Sequence, residues 1–337
     1  MGDANNMTVS VVDLFAGVGG SSCGARAAGA QVVAAVDAWP LACEVYADNH
    51  HFTSVYNSPC EELEPLEIRK RFGRIDLLLA SPECTNHTCA KGAAERSESS
   101  RATAFQVVRF ADALRPMWIV IENVLHMQSW SRYHEFLTAL ESMGYHCKPQ
   151  VLNAVDFGVP QSRRRLFILC KRGQDPPEIV PPTSVKPAPA RTIIDTNGTY
   201  GYSPLKTVGR ASATLERAER AIAKVGDRMP FLIVYYGSDG SGGWQRLSSP
   251  LRTITTLDRF AYVRRRNGVH EMRMLQVPEL KNAMGFQEEY VIERGTRRDR
   301  IKLLGNAVCP PVMEYVVRTL ISRSPSNSRT NPAGRQD

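Results

Sequence analysis

Short apolar runs alternate with helix-compatible segments along the first half of the chain, and this alternation constrains the fold most strongly. Each run is rich in aliphatic residues and gives way to glycine, proline or a polar residue; the runs cover residues 9–15, 31–36, 76–80, 118–121 and 165–170. Helix-compatible segments, among them residues 102–114 and 134–143, lie between the runs. Strands that alternate with helices predict an α/β fold built on a doubly wound, mostly parallel sheet.

Length, charge and cysteine content narrow the class of protein. No apolar run in the 337 residues approaches the ~20 that span a bilayer, and the N-terminus lacks a basic segment followed by an apolar core. Eight cysteines in a chain of this length form no disulfide-dense pattern, so we expect reduced thiols and a cytoplasmic protein. The net charge of +8 favours a polyanionic partner, although solvated surface charge explains the arginine clusters at 163–165, 264–266 and 297–298 equally well.

A glycine-rich segment, residues 13–20, follows the first predicted strand. Glycines at such a position allow a tight turn and let the backbone approach a ligand closely. Asp37 ends the next predicted strand, where its carboxylate can accept hydrogen bonds from ribose hydroxyls. Ser22 stands where a third glycine would complete the dinucleotide-binding pattern. The segment therefore fits a nicotinamide enzyme nearly as well as an S-adenosylmethionine enzyme, and a structural turn without a ligand is the third alternative.

Cys84 follows the apolar run 76–80 through a Ser-Pro turn, so we expect it at the carboxyl edge of the sheet. Ligands bind at that edge in open α/β folds, and a thiol there can act as a nucleophile. A buried, inert thiol is the ordinary alternative. Metal binding through Cys84, His87 and Cys89 is another alternative, but this spacing matches no common zinc pattern.

Glu122 also follows an apolar run and is expected at the same edge of the sheet. Burial would raise its pKa and let it serve as an acid, whereas a surface or capping glutamate is the alternative. Arg163 and Arg165 alternate along an extended segment and therefore share one face. Two guanidinium groups on one face suit an anionic or carbonyl-bearing substrate. The alternative is that their charges prevent an exposed strand edge from pairing with another strand.

The character of the sequence changes after Gly173. Residues 175–191 are rich in proline, which predicts a linker or an irregular entry to a second, smaller domain. The pattern stays irregular to about residue 262 and includes a glycine-rich loop at 237–244. We therefore predict a main domain over 1–178 and 270–325, an irregular second domain over 179–269, and a disordered tail over 326–337.

Six segments, taken in order, make the chain resemble the cytosine carbon-5 DNA methyltransferase family of prokaryotic or phage type. They are residues 13–20 (DLFAGVGG), 81–84 (SPEC), 122–124 (ENV), 161–165 (QSRRR), 249–255 (SPLRTIT) and 305–308 (GNAV). Each is a weak signal alone, whereas all six in the family's order are specific. The resemblance implies a Rossmann-like domain that binds S-adenosyl-L-methionine and a target-recognition domain that binds double-stranded DNA, in a protein that acts as a monomer, needs no metal and is nucleoid-associated.

The resemblance also implies roles for individual residues. Those expected to take part in catalysis are Cys84, Glu122, Arg163 and Arg165. Those expected to bind the cofactor are Phe15, Ala16, Gly17, Gly19, Gly20, Asp37, Ala38, Asn57, Ser81, Asn306 and Val308. Those expected to bind DNA are Gln161, Tyr236, Trp244, Gln245, Arg246 and Arg252.

Three positions depart from the family's pattern. Glu83 stands where the family usually has proline, and we expect its carboxylate to turn away from the neighbouring thiol. Asn57 replaces an aspartate that reads the adenine amino group, and Ala38 stands where a tryptophan usually follows the ribose-binding carboxylate, with Trp39 one place later. Two other functions are weighed: a tRNA cytosine-5 methyltransferase of the same family, and a DNA-binding relative without catalysis.

Overall fold

The computed structural model describes residues 8–82, 98–236 and 242–322, and its main element is a seven-stranded sheet. The first eight strands along the chain are β1 (Ser10–Leu14), β2 (Gln31–Asp37), β3 (Ser54–Asn57), β4 (Leu77–Ala80), β5 (Trp118–Asn123), β6 (Tyr145–Asn153), β7 (Gln161–Ser162) and β8 (Arg164–Arg172). The sheet has the order β3-β2-β1-β4-β5-β8-β6, and β8 runs antiparallel to both of its neighbours. Every apolar run that was predicted as a strand belongs to this sheet, so the doubly wound fold is confirmed.

The helices lie on both faces of this sheet and, in the case of residues 212–225, on a second sheet. They are α1 (Gly20–Ala27), α2 (Pro40–Asn49), α3 (Pro65–Phe72), α4 (Glu98–Leu114), α5 (Tyr133–Glu141), α6 (Ser212–Val225), α7 (Val277–Ala283), α8 (Arg297–Asn306) and α9 (Pro310–Ser322), with 3-10 turns at Cys60–Glu62, Leu125–Ser129, Ala154–Phe157 and Ala190–Ile193. Successive side chains of a strand point to opposite faces. Leu78 and Ile119 accordingly pack with α3, α4 and α5, whereas Leu79 and Val120 pack with α1, α2 and α9.

The second body of structure is more regular than its sequence pattern predicts. The remaining strands are β9 (Ser203–Pro204), β10 (Phe231–Val234), β11 (Trp244–Arg246), β12 (Leu251–Arg252), β13 (Phe260–Arg266) and β14 (Val269–Met274). Five of them form an antiparallel sheet in the order β11-β10-β13-β14-β9. Strand β14 pairs with β13 as far as Met274, whereas β12 lies outside this sheet and pairs with β7.

The two bodies share a core. One face of the second sheet, with Phe231 and Ile233, packs on α6, while the other, with Leu232 and Val234, packs into the core of the main body. A buried ion pair between Arg273 of β14 and Glu279 of α7 lies at this junction, with its nitrogen and oxygen atoms 2.7 Å apart. In the described ranges, no helix is both long and apolar enough to cross a membrane.

Candidate active site

The glycine-rich segment after β1 turns sharply at Gly17 and Gly19, whose φ angles are +54° and +84°. A β-carbon at Gly17 would meet nothing within 4 Å, so this side of the turn is open to a ligand. A β-carbon at Gly20 would overlap the carbonyl oxygen of Val308, and one at Gly19 would lie 2.5 Å from Nε2 of His50. The missing side chains therefore let the turn pack against His50 and against Val308, which follows α8.

Asp37 is held beside this turn by two backbone N–H groups. Gly17 donates to its Oδ2 and Trp39 donates to its Oδ1, each at 2.8 Å. The carboxyl is half-buried, and burial raises its pKa while the two N–H groups oppose that rise. Asn57 is exposed and lies opposite Asp37 in the pairing of β3 with β2. Its side-chain amide donates to the Asp37 carbonyl at 3.3 Å. Ala38 is exposed.

Other residues expected around the cofactor lie at the same edge. Phe15, half-buried, has a φ of 56°, and the N–H of Ala16 donates to Val36 of β2 at 3.0 Å. Ser81 follows β4; its N–H donates to Leu14 at 3.1 Å, and its buried hydroxyl has no hydrogen-bond partner among the described residues. The remaining side chains are placed as follows: Asn306 is exposed at the end of α8, Val308 is buried, and the Trp39 ring lies under Lys302, whose Nζ is 4.4 Å from the ring centre.

Glu122 lies at the end of β5, 6% exposed, with its Oε1 3.3 Å from Nε of Arg165. Burial raises the pKa of Glu122, and the two nearby guanidinium groups of Arg165 and Arg163 pull it down. These three side chains line a small cavity together with Val308 and Cys309. Glu122, predicted at the sheet edge, is thus brought together with the two arginines predicted on the extended segment.

Arg163 lines this cavity and also bonds to three backbone carbonyl groups. Its guanidinium group is 3% exposed, and it donates to the carbonyl oxygens of Ile254, Gly305 and Ala307 at 2.9 to 3.0 Å. The group therefore ties together the start of β8, the loop after β12 and the end of α8. The catalytic roles of Arg163 and Arg165 stay predictions.

The structure overturns two of the predicted DNA contacts. Gln161 is fully buried; its amide donates to the Ala283 carbonyl at 3.0 Å and its oxygen accepts from Ile254 at 2.8 Å. Gln245 is 7% exposed and bonds to Pro250 and Arg252. Both amides are occupied inside the protein, so neither can read a base.

The other predicted DNA contacts lie at or near the surface of the second body. The hydroxyl of Tyr236 donates to Thr253 at 2.6 Å, and Nη2 of Arg252 lies 3.4 Å from the Trp244 carbonyl. Trp244 is half-buried, whereas Arg246 is exposed, bonds to the Lys224 carbonyl at 3.0 Å and lies 5.9 Å from the Trp244 ring centre. For these four side chains, contact with DNA remains a prediction.

Sequence reasoning missed a buried polar network behind the glycine turn. Ser22 donates to Asp13 at 2.6 Å and accepts from Tyr46 at 2.7 Å. His50, whose pKa burial lowers to about 4, lies 2.9 Å from the Tyr290 hydroxyl. Those partners lie on separate elements, and the only sequence signal was the polar residues inside otherwise apolar stretches.

Asn123 was missed as well, although it belongs to a recognised motif. It is 5% exposed, and its amide donates to the Pro82 carbonyl at 3.3 Å. This bond ties the end of β5 to the chain leaving β4. Cys84, Glu83, His87 and Cys89 lie outside the described residues.

Comparison with known proteins agrees with this architecture. The family model for the C-5 cytosine-specific DNA methylase matches residues 9–322. The Type II methyltransferase M1.HphI of Haemophilus parahaemolyticus is 26% identical over 345 residues, which cover 95% of this chain and 88% of that protein. The Type II methyltransferase M.DdeI of Desulfomicrobium norvegicum is 30% identical over 186 residues, or 52% of this chain, and the match spans only 45% of that protein.

Solved structures show the same fold. A mutant of Spodoptera frugiperda DNMT2 aligns with a TM-score of 0.70 at 18% identity, over 93% of this chain and 100% of that one. A putative DNA modification methyltransferase encoded within an E. coli prophage aligns with a TM-score of 0.68 at 19% identity, over 94% and 99%. Because the family model spans residues 9–322, the chain belongs to the C-5 cytosine-specific DNA methylase family.

Proposed function

We propose that this protein methylates carbon-5 of cytosine in double-stranded DNA, with S-adenosyl-L-methionine as the methyl donor and Cys84 as the nucleophile. The observation that carries the proposal is the buried pairing of Glu122 with Arg165, 3.3 Å apart, in a small cavity at the carboxyl edge of the sheet. Ala80 of β4 lies opposite Ile121 of β5. The chain therefore leaves β4 at the edge where Glu122 lies, and Cys84 follows Ala80 by four positions in the sequence.

The residues present fit the cofactor. Asp37 is anchored with its carboxylate at the sheet edge, the turn at Gly17 is open on one side, and the buried hydroxyl of Ser81 has no hydrogen-bond partner among the described residues. Asp37 would hold the ribose hydroxyls, and Phe15 with Asn57 would hold the adenine ring. When bound, S-adenosyl-L-methionine supplies an electrophilic methyl group.

Cytosine carbon-5 is too weak a nucleophile to accept a methyl group directly, so the ring must first be activated. The Cys84 thiolate adds at carbon-6 and makes carbon-5 nucleophilic. Glu122 donates a proton or a hydrogen bond to ring nitrogen-3, which stabilises the charge that develops on the ring. Arg165 holds the ring carbonyl. Once carbon-5 carries the transferred methyl group, its proton passes to water and the sulfur leaves carbon-6 as the Cys84 thiolate. The cytosine must be flipped out of the duplex for any of these contacts.

Two measurements test the proposal. Expression of the full chain in a host without cytosine methylation, followed by bisulfite sequencing, should reveal 5-methylcytosine at a defined DNA site. Purified protein should methylate duplex DNA and leave tRNA unmodified. Methylation confined to tRNA would favour a tRNA methyltransferase instead, and binding to DNA without methylation of either acceptor would favour the non-catalytic relative.

Covalent trapping on a 5-fluorocytosine duplex tests the mechanism separately. Wild-type protein should form an adduct that survives denaturing electrophoresis, and Cys84→Ser should form none while still binding DNA. Glu122→Gln should slow adduct formation by roughly 10²–10⁴-fold, because it removes the proton that the buried carboxyl supplies. Because burial raises the pKa of Glu122, wild-type activity should fall as pH rises through that pKa. Full activity in Cys84→Ser would refute the covalent step.

A further inference from the structure

Two cysteines outside the active site face each other across the edge of the main sheet. Cys147 of β6 lies directly opposite Cys170 of β8 in the antiparallel register. Their sulfur atoms are 2.7 Å apart, although the residues are 23 positions apart in sequence. Both are free thiols. A disulfide needs an S–S distance of about 2.05 Å, so only a small further approach separates this pair from a covalent bond.

The position in the ladder favours such a bond. Gly173 donates to the Gly144 carbonyl at 2.8 Å, which marks one hydrogen-bonded end of the β6–β8 pairing. Counting from there, Cys147 and Cys170 occupy a non-hydrogen-bonded pair, where opposite Cα atoms are only about 4.5 Å apart. Pro149, two residues on, occupies the same type of position, as expected because it has no N–H to give to β8. The Cα separation lies within the range of disulfides.

The two thiols differ in access to solvent. Strand β6 is the last strand of the sheet, and Cys147 is half-buried there. Cys170 is fully buried, and burial together with the neighbouring thiol raises its pKa well above the ordinary value. A small oxidant therefore reaches Cys147 first, and Cys170 is placed to attack the oxidised sulfur from 2.7 Å away.

We infer that Cys147 and Cys170 form a reversible disulfide in the folded protein when it meets a peroxide. Peroxide oxidises the Cys147 thiol to a sulfenic acid and releases one water; the Cys170 thiol then displaces hydroxide, which leaves as a second water with the Cys170 proton. Two thiols and one peroxide give one disulfide and two waters. The bond closes a loop that contains Arg163 and Arg165 and so braces the segment that presents them.

Peptide mapping tests the inference. The full-length protein is treated with hydrogen peroxide, free thiols are blocked with iodoacetamide, and trypsin digestion follows under non-reducing conditions. The expected product joins peptide 133–163 to peptide 166–171, since trypsin does not cut between Lys148 and Pro149. Dithiothreitol should release both peptides. Oxidation of other cysteines with no linkage between these two peptides would overturn the inference.

Thermal unfolding gives an independent readout. Peroxide treatment should raise the melting temperature of the wild type by roughly 5 °C, because the cross-link restricts the unfolded chain. Cys147→Ser and Cys170→Ser should lose both the linked peptide and the rise. Cys23→Ser is the matched control, since Cys23 is also a half-buried free thiol; it should keep both. A rise that persists in Cys147→Ser would assign the stabilisation to another pair and contradict the inference.

Discussion

Asp13 carries a carboxyl group that the fold buries completely. Its Oδ2 accepts a hydrogen bond from Ser22 at 2.6 Å, while Oδ1 has no partner among the described residues. Burial raises its pKa to about 7, with the hydrogen bond from Ser22 opposing the rise. In the unfolded chain the pKa of an aspartate is about 3.9. Between about pH 3.9 and pH 7 the folded state therefore binds more protons at Asp13 than the unfolded state does. The free energy of unfolding should therefore fall as pH rises through this window, by about 4 kcal/mol at most.

Asp13→Asn should remove this pH dependence, since asparagine keeps the oxygen that accepts from Ser22 and carries no charge. Urea unfolding at pH 5 and pH 7.5 measures the effect, with the variant losing less stability than the wild type over that interval. The matched control is Asp112→Asn, whose side chain is 63% exposed and should follow the wild type. An unchanged slope in Asp13→Asn would mean that Asp13 is ionised in the fold throughout.

Residue types alone predicted some positions and misplaced others. Asp37 and Glu122 were predicted because a polar residue that ends a buried strand must face the sheet edge. Gln161 and Gln245 were misassigned to the DNA surface, because the backbone groups that satisfy them come from other segments. The partner of Gln161 Oε1, for example, lies 93 residues away. Sequence shows an amide but not what it bonds to.

At the scale of elements, the glycine-rich turn after β1 and the segment after α8 meet through a contact that only glycine permits. A β-carbon at Gly20 would overlap the carbonyl oxygen of Val308, which is backbone and cannot rotate away. Gly20→Ala should therefore push the start of α1 away from Val308 and cost about 1–3 kcal/mol of unfolding free energy. Affinity for S-adenosyl-L-methionine, measured by calorimetry, should fall with it.

The control for this substitution is Gly201→Ala. Gly201 also has no left-handed φ angle, and a β-carbon there would meet nothing within 4 Å. The Gly201→Ala variant should have the same free energy of unfolding and the same affinity for S-adenosyl-L-methionine as the wild type. If Gly20→Ala behaved like this control, the close approach of the turn to Val308 would not support cofactor binding.

The second sheet shows why some elements were harder to predict than others. Five strands of the main sheet contain continuous apolar runs and were found from sequence, whereas β3 and β6 carry polar residues and were not. Strands β13 and β14 carry charges that hide their pattern, yet Arg264 lies directly opposite Glu271 in the register, with the ion pair at 2.6 Å. Such cross-strand pairs stabilise a sheet, but they become visible only once the register is known.

For the molecule as a whole, the junction between the two bodies contains a buried ion pair beside the shared apolar core. Arg273 and Glu279 are 5% and 2% exposed and are joined by two hydrogen bonds of 2.7 Å. Glu279 also accepts from the N–H groups of Asp195 and Gln276, so its carboxylate organises the start of α7. Removing one partner leaves the other as a buried charge, which typically costs about 3–5 kcal/mol.

We expect Arg273→Met to lower the free energy of unfolding by about 3 kcal/mol, since the buried Glu279 carboxylate would keep only its backbone donors. Arg265→Met is the control: its partner Asp227 is 53% exposed, and the loss should be 1 kcal/mol or less. Because Leu232 and Val234 of the second sheet share the main core, urea unfolding followed by near- and far-ultraviolet circular dichroism should give coincident curves in both variants. Two separate transitions in Arg273→Met would show that this ion pair, more than the shared core, makes the two bodies unfold together.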